Sequence, residues 1–458
     1  MTDIDPFPSV LTAPPGPLSK EYLDAQERAE SNARTYPRRL PIAIKKGLGC
    51  YIEDLDGNIY LDFLSGAGVL SLGHNHPDLV AAVTEQLGIL VHGLDLPTPI
   101  KHEFTRRQLG MLPEPMRSRV KLHFCGPTGA NAVEAAIKLA KISTGRRDIV
   151  SFQGAFHGST AGAMAVTGGV EVKEAVPNGM PGVQFVPYSY CLRCPIGLRR
   201  SDCAVNCASY LEHMLADSHS GMARPAAVIM ELIQGEGGSI VAEPEFVRRV
   251  RDVTRQHDVL LIVDEVQTGC GRTGTWFAFE QYGIEPDIVV ASKGLSGIGM
   301  PVALLFYDRR LDSWLPGAHI GTFRGNQLAF AAGVAALDVI EREQVLRNVT
   351  QQGDLLGRQL SALAARLPWI AQVRGLGLFW GIELADPVTG RPATALASEV
   401  QRAALANGLI LEVGGRDDCV LRLLPPLVIT AEQVTAAVRS LTCAFAEADP
   451  DFTEGTGQ

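Results

Sequence analysis

The sequence predicts an α/β protein: a large domain with a mostly parallel sheet sandwiched by helices, plus a smaller α+β domain. Two patterns carry this expectation. Between about residues 76 and 335, short β-branched or apolar runs alternate with longer helical stretches, which implies parallel strands covered on both faces. From 336 onward, two long helical patterns and a few short strands follow instead. The expected division is 1–75 for an N-terminal arm and strands of the small domain, 76–335 for the large domain, and 336–458 for the C-terminal small domain.

In chain order, the first 20 residues are rich in Pro and Ser and predict an extended arm. Residues 21–35 read as a helix. Strands are expected at 50–54 and 59–62, split by Asp56-Gly57, a hairpin turn signal. Within the large domain, 120–124, 149–152, 227–231, 260–264 and 288–292 read as buried strands. Residues 130–143, 245–257 and 328–342 read as helices. A late strand at 420–424 runs into Pro425-Pro426. No repeat or low-complexity tract interrupts the pattern.

The 458 residues are 46% hydrophobic and 20% charged, enough for a large core. A net charge of −9 argues against a nucleic-acid or anionic-membrane binder. No apolar run approaches the roughly 18 residues of a membrane span. The start Met-Thr-Asp-Ile-Asp-Pro lacks the basic and apolar regions of a signal peptide. A soluble, cytoplasmic protein is expected. The nine cysteines are an odd number, mostly in apolar segments, and read as reduced thiols.

In open α/β sheets, ligands gather beyond the carboxyl ends of the strands, so the residues just after each strand are the informative ones. Lys293 ends an apolar run and precedes a glycine-rich stretch, Gly294 to Gly299. Partial desolvation there lowers a lysine's pKa and frees its amine for imine chemistry. By itself Lys293 reads more readily as a lysine with a packed stem and a wet head. Asp264 also ends a buried run. It needs a cation or several donors, which a protonated pyridine nitrogen supplies; a metal-binding aspartate of a nucleotide hydrolase is the alternative, without the phosphate loop that would support it. Gly126-Pro127-Thr128-Gly129 turns a strand into a helix, and helix-start N–H groups with the Thr128 hydroxyl suit a phosphate. Phe156, in Phe156-His157-Gly158, suits a stacked planar ring, or an ordinary core position.

Together these residues resemble a known family. Thr128-Gly129, Phe156-His157-Gly158, Glu231-x-x-Gln234-Gly235-Glu236-Gly237-Gly238, the run Asp264-Glu265-Val266-Gln267-Thr268-Gly269-x-Gly271-Arg272-Thr273-Gly274, Ser292-Lys293 and Gly321-Thr322-Phe323-x-Gly325-Asn326 are similar to the class III (omega) aminotransferases. The likeness runs from about residue 38 to 445. It implies the fold type I architecture of pyridoxal-phosphate enzymes, with 76–335 as the cofactor-binding domain, and pyridoxal 5'-phosphate as cofactor. It implies Lys293 as the Schiff-base lysine and proton shuttle, and Asp264 as partner of the pyridine nitrogen. Gln267 would meet the phenolic oxygen, Phe156 would stack on the ring, and Thr128 and Gly129 would hold the phosphate. Thr322 would reach the phosphate of a neighbouring subunit, so a homodimer with shared active sites is implied. Arg422 would clamp the α-carboxylate of 2-oxoglutarate or glutamate, Glu236 would be its gate partner, and Glu231 would lie at the substrate.

Within that family, Phe124 to Ala130, Pro316-Gly317-Ala318-His319, Gly321 to Ala329 and Leu411 to Arg416 resemble the diaminobutyrate–2-oxoglutarate subgroup. The implied reaction moves the terminal amine of L-2,4-diaminobutyrate to 2-oxoglutarate, giving aspartate semialdehyde and glutamate. Ornithine, 4-aminobutyrate or another ω-amine as donor, an aminomutase, and an inactive binding module are the alternatives. Two positions depart from the family pattern. Ser159 stands where several members carry an arginine for the distal carboxylate, and Pro127 stands where many have glycine, so it offers no N–H. Cys191-x-x-Cys194 and Cys203-x-x-x-Cys207 have a spacing that also suits zinc, but they are read as reduced loop and helix thiols, with no metal expected.

Overall fold

The computed structural model describes residues 7–176 and 179–449. The chain divides into two units, one from Asp78 to Leu346 and one joining the segments up to Pro77 and from Arg347 onward. The boundaries expected at 75/76 and 335/336 thus move to 77/78 and 346/347. The later shift is larger because the helix Gln327–Arg342 packs whole against the large sheet.

The first unit is built on a seven-stranded sheet. Its order is Val120–Phe124, Leu304–Asp308, Ile288–Ala291, Leu260–Asp264, Ala227–Glu231, Ile149–Phe152, Val183–Val186. Leu304–Asp308 runs antiparallel to both neighbours, and the pairings among the remaining strands are parallel. Two short strands were not among those expected. Val183–Val186 is a half-buried edge strand, and Leu304–Asp308 returns directly after the glycine-rich turn.

The central strands are buried residue by residue because both faces are covered. Successive side chains point to opposite faces, and the packing follows that alternation. Val228, Met230, Leu261, Val263, Val289 and Phe306 join one apolar cluster with Phe246, Val250, Phe330 and Leu337 from two helices. Ala227, Ile229, Leu260, Ile262, Val290 and Leu305 join the other, against Val133, Ala136 and Ala140 of the helix Gly129–Thr144. The three helices expected here lie within one residue of their predicted limits.

In the second unit, Ile44–Leu48, Tyr51–Asp54, Ile59–Asp62 and Leu409–Ile410 form one sheet. The strand pairing Leu61 with Leu409 ties the N-terminal and C-terminal segments together. Asp56-Gly57 makes the expected turn, with Gly57 at φ +86°. The first helix is Pro17–Ala29, earlier than the 21–35 expected. Its start is fixed by Asp56, whose carboxylate accepts the N–H groups of Leu18 and Ser19 at 2.8 Å, a cap supplied from 37 residues away that local sequence does not announce. The expected N-terminal arm lies partly outside the described residues. A second sheet has the order Ile370–Leu376, Phe379–Leu384, Val420–Leu423, Glu412–Gly414. Among the described residues, no helix is long and apolar enough to cross a membrane.

Phe330 lies at the heart of the first cluster, its ring 4.9 Å from those of Phe104 and Phe124. F330A should lower unfolding free energy by about 3–5 kcal/mol, and F330L by less than about 2 kcal/mol. Urea titration followed by tryptophan fluorescence checks this; a loss below about 1 kcal/mol for F330A would show that the cluster closes over the gap.

Candidate active site at the strand ends of the large sheet

The parallel register sets the site. Asp264 ends its strand level with Glu231 on one side and Val290 on the other. Three residues beyond Val290 stands Lys293. A cavity of about 220 Å³ opens over these ends, and its lining includes Lys293, Asp264, Glu231, Phe156, Gln267 and Gly129.

Lys293 is half-buried and takes φ +36°. A side-chain-bearing residue in that region is held by its surroundings at a cost in strain. Here Ser292 anchors the strand end by donating its hydroxyl to Val302 O at 2.9 Å, and a short 3₁₀ turn, Lys293–Ser296, follows.

Asp264 is 6% exposed. Its Oδ2 lies 2.8 Å from His157 Nδ1, and its Oδ1 accepts Val266 N–H at 3.0 Å. The His157 backbone N–H in turn donates to Thr167 Oγ1 at 2.9 Å, while its ring Nε2 is buried with no hydrogen-bond partner. His157 was part of a motif in the sequence, but nothing there assigned it to Asp264; that pairing spans 107 residues.

Glu231, expected at the substrate, lines the cavity, and both its oxygens are engaged by backbone. Its Oε1 accepts Phe156 N–H and its Oε2 accepts Gly235 N–H, both at 2.9 Å. It therefore ties the aromatic wall to the loop that carries Glu236. Glu236 Oε1 accepts the Gln267 side-chain amide at 2.9 Å. The lack of a side chain at Gly235 leaves room for the Gln267 amide, since a Cβ there would sit 2.3 Å from Gln267 Oε1 and would push that side chain aside.

Thr128 caps the 16-residue helix Gly129–Thr144, its hydroxyl accepting Asn131 N–H at 3.3 Å. The helix opens against the cavity through Gly129 and Ala130. A Cβ on Gly129 would lie 3.0 Å from Val266 Cγ1, so glycine permits that approach. Thr322 is not among these lining residues. It lies on an exposed loop, with its carbonyl oxygen 2.9 Å from His92 Nε2. Ser159 is exposed too.

Arg422 belongs to the other unit. It is fully buried on the central strand Val420–Leu423, and Nη1 donates to Glu412 Oε2 at 2.8 Å. Glu412 is in register with Arg422 on the adjoining strand. The sequence reading missed this carboxylate, although the Gly414-Gly415 turn between two apolar runs is a signal for that pairing.

The residues present fit pyridoxal phosphate. The helix start with its glycine suits an anion, Phe156 presents a ring that is 40% exposed at the cavity, and the buried Asp264 has capacity to meet a cation. Among the described residues, no group of three or more His, Cys, Asp or Glu is arranged to hold a metal ion, and the nine cysteines are free thiols.

Burial pushes the Glu231 carboxyl up to about 7 from its ordinary 4.5, with Asp264 adding to the rise and His157 and the two N–H donors opposing it. The folded protein thus keeps a proton that the unfolded chain has lost. Stability from this group is full below pH 4.5 and is lost as pH rises through about 7. E231Q should flatten the fall of unfolding free energy across that window by about one proton. Urea midpoints of parent and variant that stay parallel would contradict the assignment.

The model of the class III aminotransferase family matches residues 32–445. A diaminobutyrate–2-oxoglutarate aminotransferase of Rhizobium meliloti is 48% identical over 433 residues, covering 93% of this chain and 92% of the relative. One from Haemophilus influenzae is 46% identical, covering 93% of each. Among solved structures, the ornithine aminotransferase of Toxoplasma gondii, which carries pyridoxal phosphate at partial occupancy in its active site, superposes with a TM-score of 0.79 at 27% identity, covering 94% of this chain and 95% of that one. The chain belongs to the class III aminotransferases, enzymes dependent on pyridoxal phosphate.

Proposed function

We propose that the protein moves the terminal amine of L-2,4-diaminobutyrate to 2-oxoglutarate, giving aspartate semialdehyde and L-glutamate. The observation that carries this reading is the pair of relatives so named, at 48% and 46% identity across more than nine-tenths of each chain. The strand-end cluster of Lys293, Asp264, Gln267 and Phe156 around one cavity supports it.

Pyridoxal phosphate, when bound, supplies a carbonyl for the amine and a protonated pyridine ring that draws electrons from the reacting carbon. The protein's own groups do the rest. Asp264 would meet the protonated pyridine nitrogen, its two oxygens being held by His157 and Val266 N–H. Lys293 would hold the cofactor at rest and would move a proton at the substrate's reacting carbon. Thr128, Gly129 and the helix start would hold the phosphate. Gln267 would meet the phenolic oxygen, and Phe156 would close one face. Arg422 would bind the α-carboxylate of the acceptor through its guanidinium fork. Because Ser159 brings no guanidinium, the distal carboxylate must be held by other donors.

We read the working form as a homodimer. The loops around residues 87–96 and 315–323 expose Leu87, Ile89, Leu96, Leu315, Ile320 and Phe323, each more than half exposed. They lie together, since Phe323 packs edge-on against His92 at 5.9 Å. An apolar surface of this kind marks an association site, and it carries Thr322. The free thiols accord with a reducing, cytoplasmic setting.

Loaded with cofactor, the enzyme should form glutamate from 2-oxoglutarate with diaminobutyrate faster than with ornithine or 4-aminobutyrate, and should use pyruvate poorly as acceptor. Chromatography of the amino-acid products reads this directly. Faster turnover with ornithine would move the donor assignment, and no glutamate from any amine would refute the reading.

A further inference from the structure

We propose that Glu134 is a positioning residue for the cofactor: it locks the Phe156 wall onto the helix that begins at Thr128 and Gly129, and so fixes the ring plane against the phosphate end. This rests on the reading of Phe156 as the ring contact and of Thr128 and Gly129 as the phosphate contacts.

Strand register cannot set these two parts against each other as it does Asp264 and Glu231. The turn ahead of Gly129 follows Val120–Phe124, and Phe156 follows Ile149–Phe152, the first and sixth strands in the sheet order. Five strand spacings lie between them, roughly 24 Å in a flat sheet. Yet Gly129, Ala130, Phe156 and Gly158 line the same cavity. The two loops need a tie, and the helix Gly129–Thr144 carries it.

The tie has two parts. Gly158, at φ +132°, rides on Ala130: a Cβ there would lie 2.5 Å from Ala130 Cβ and 3.0 Å from Ala130 Cα. One helical turn further along stands Glu134. Its Oε1 accepts the Thr160 hydroxyl and Gly162 N–H, each at 2.7 Å, and Ala163 N–H at 3.3 Å. Thr160 is the N-cap of the short helix Ala161–Val166, yet its hydroxyl does not cap that helix. The hydroxyl donates to Glu134, and the Glu134 carboxylate takes the first-turn N–H groups in its place. Gly162 and Ala163 are buried, so water cannot replace Glu134 as their acceptor. At Gly162 a Cβ would fall 2.3 Å from Glu134 Oε2, so the missing side chain lets the carboxylate sit over the helix start.

The other side of the wall is held separately. Glu231 accepts Phe156 N–H and Thr167 accepts His157 N–H. Residues 156–159 are thus suspended between two fixed ends, and Glu134 is the end joined to the phosphate helix. Release of that end lets the Phe156 ring tilt while the phosphate contacts stay in place, and the cofactor ring then leaves the plane that Lys293 and Asp264 address.

The test reads the circular dichroism that the site induces in the visible band of the bound cofactor, and the rate at which the holoenzyme releases cofactor. All three donors converge on Oε1, so E134Q keeps an acceptor in place and E134L removes it. E134L should lose roughly half of the induced signal per bound cofactor and release cofactor about tenfold faster. E134Q should keep the signal and stay within about twofold of the parent in release rate. L441A, a core truncation in the other unit, should lower the melting temperature and leave the signal per bound cofactor unchanged. An E134L signal and release rate equal to the parent's would overturn the proposal, whatever the melting temperature, and so would an equal loss of signal in L441A. Should E134L not fold, T160V carries the test: it removes one donor and should speed release by about threefold, and no change would overturn the proposal. F156L separates the underlying reading. If it leaves the induced signal unaltered, Phe156 is not the ring wall; if it alters the signal while E134L does not, only the role of Glu134 fails.

Discussion

Two carboxylates end adjacent buried strands in register, Asp264 and Glu231, and the chemistry of the large unit is organised by how their charge is managed. Water cannot solvate them, so the protein must. Glu231 is handled locally: two backbone N–H groups bind it, and burial raises its pKa so that it carries a proton more readily. Asp264 is handled less completely. It has one backbone donor and His157, and it faces the cavity. A carboxylate so placed favours a cation in front of it, which a protonated pyridine provides. The strained Lys293 stands beyond the next strand on the same side, so its amine and the Asp264 carboxylate approach a ligand from neighbouring strand ends.

The second unit solves a related problem with the sign reversed. There a buried cation, Arg422, is matched by Glu412 across a strand pair. A second buried pair on the same sheet, Arg374 with Glu383 at 2.7 Å, shows the same arrangement. Such pairs add little net stability against apolar replacements, but breaking one is costly. Their worth is in holding a charged group at a fixed point. Each unit thus fixes its charged groups through strand register, and neither relies on a flexible loop for the groups that matter most.

Much of this was legible in the sequence. The runs ending in Asp264 and Glu231, and the one leading to Lys293, are continuous and apolar because their strands are covered on both faces, and that pattern shows through without knowledge of the fold. The helices at Gly129, Pro244 and Gln327 announced themselves by their helical period. What stayed hidden was long-range. The Asp56 cap of the first helix, the His157–Asp264 contact and the Glu231 strut each join residues 37 to 107 positions apart. Glu231 also shows the limit of motif reading: its place at the cavity was anticipated, but its oxygens face backbone donors that only the folded turn supplies. Val183–Val186 is as long as Ile149–Phe152 but only partly buried, so its pattern does not rise above that of a loop.

The central claim is that Lys293 is the covalent anchor placed by this strand-end geometry. Borohydride reduction of the cofactor-loaded protein, followed by peptide mass mapping, tests it most directly. The account predicts the cofactor-derived mass on the peptide carrying Lys293 and on no other lysine. A mark elsewhere, or none in protein that has bound the cofactor, would contradict it.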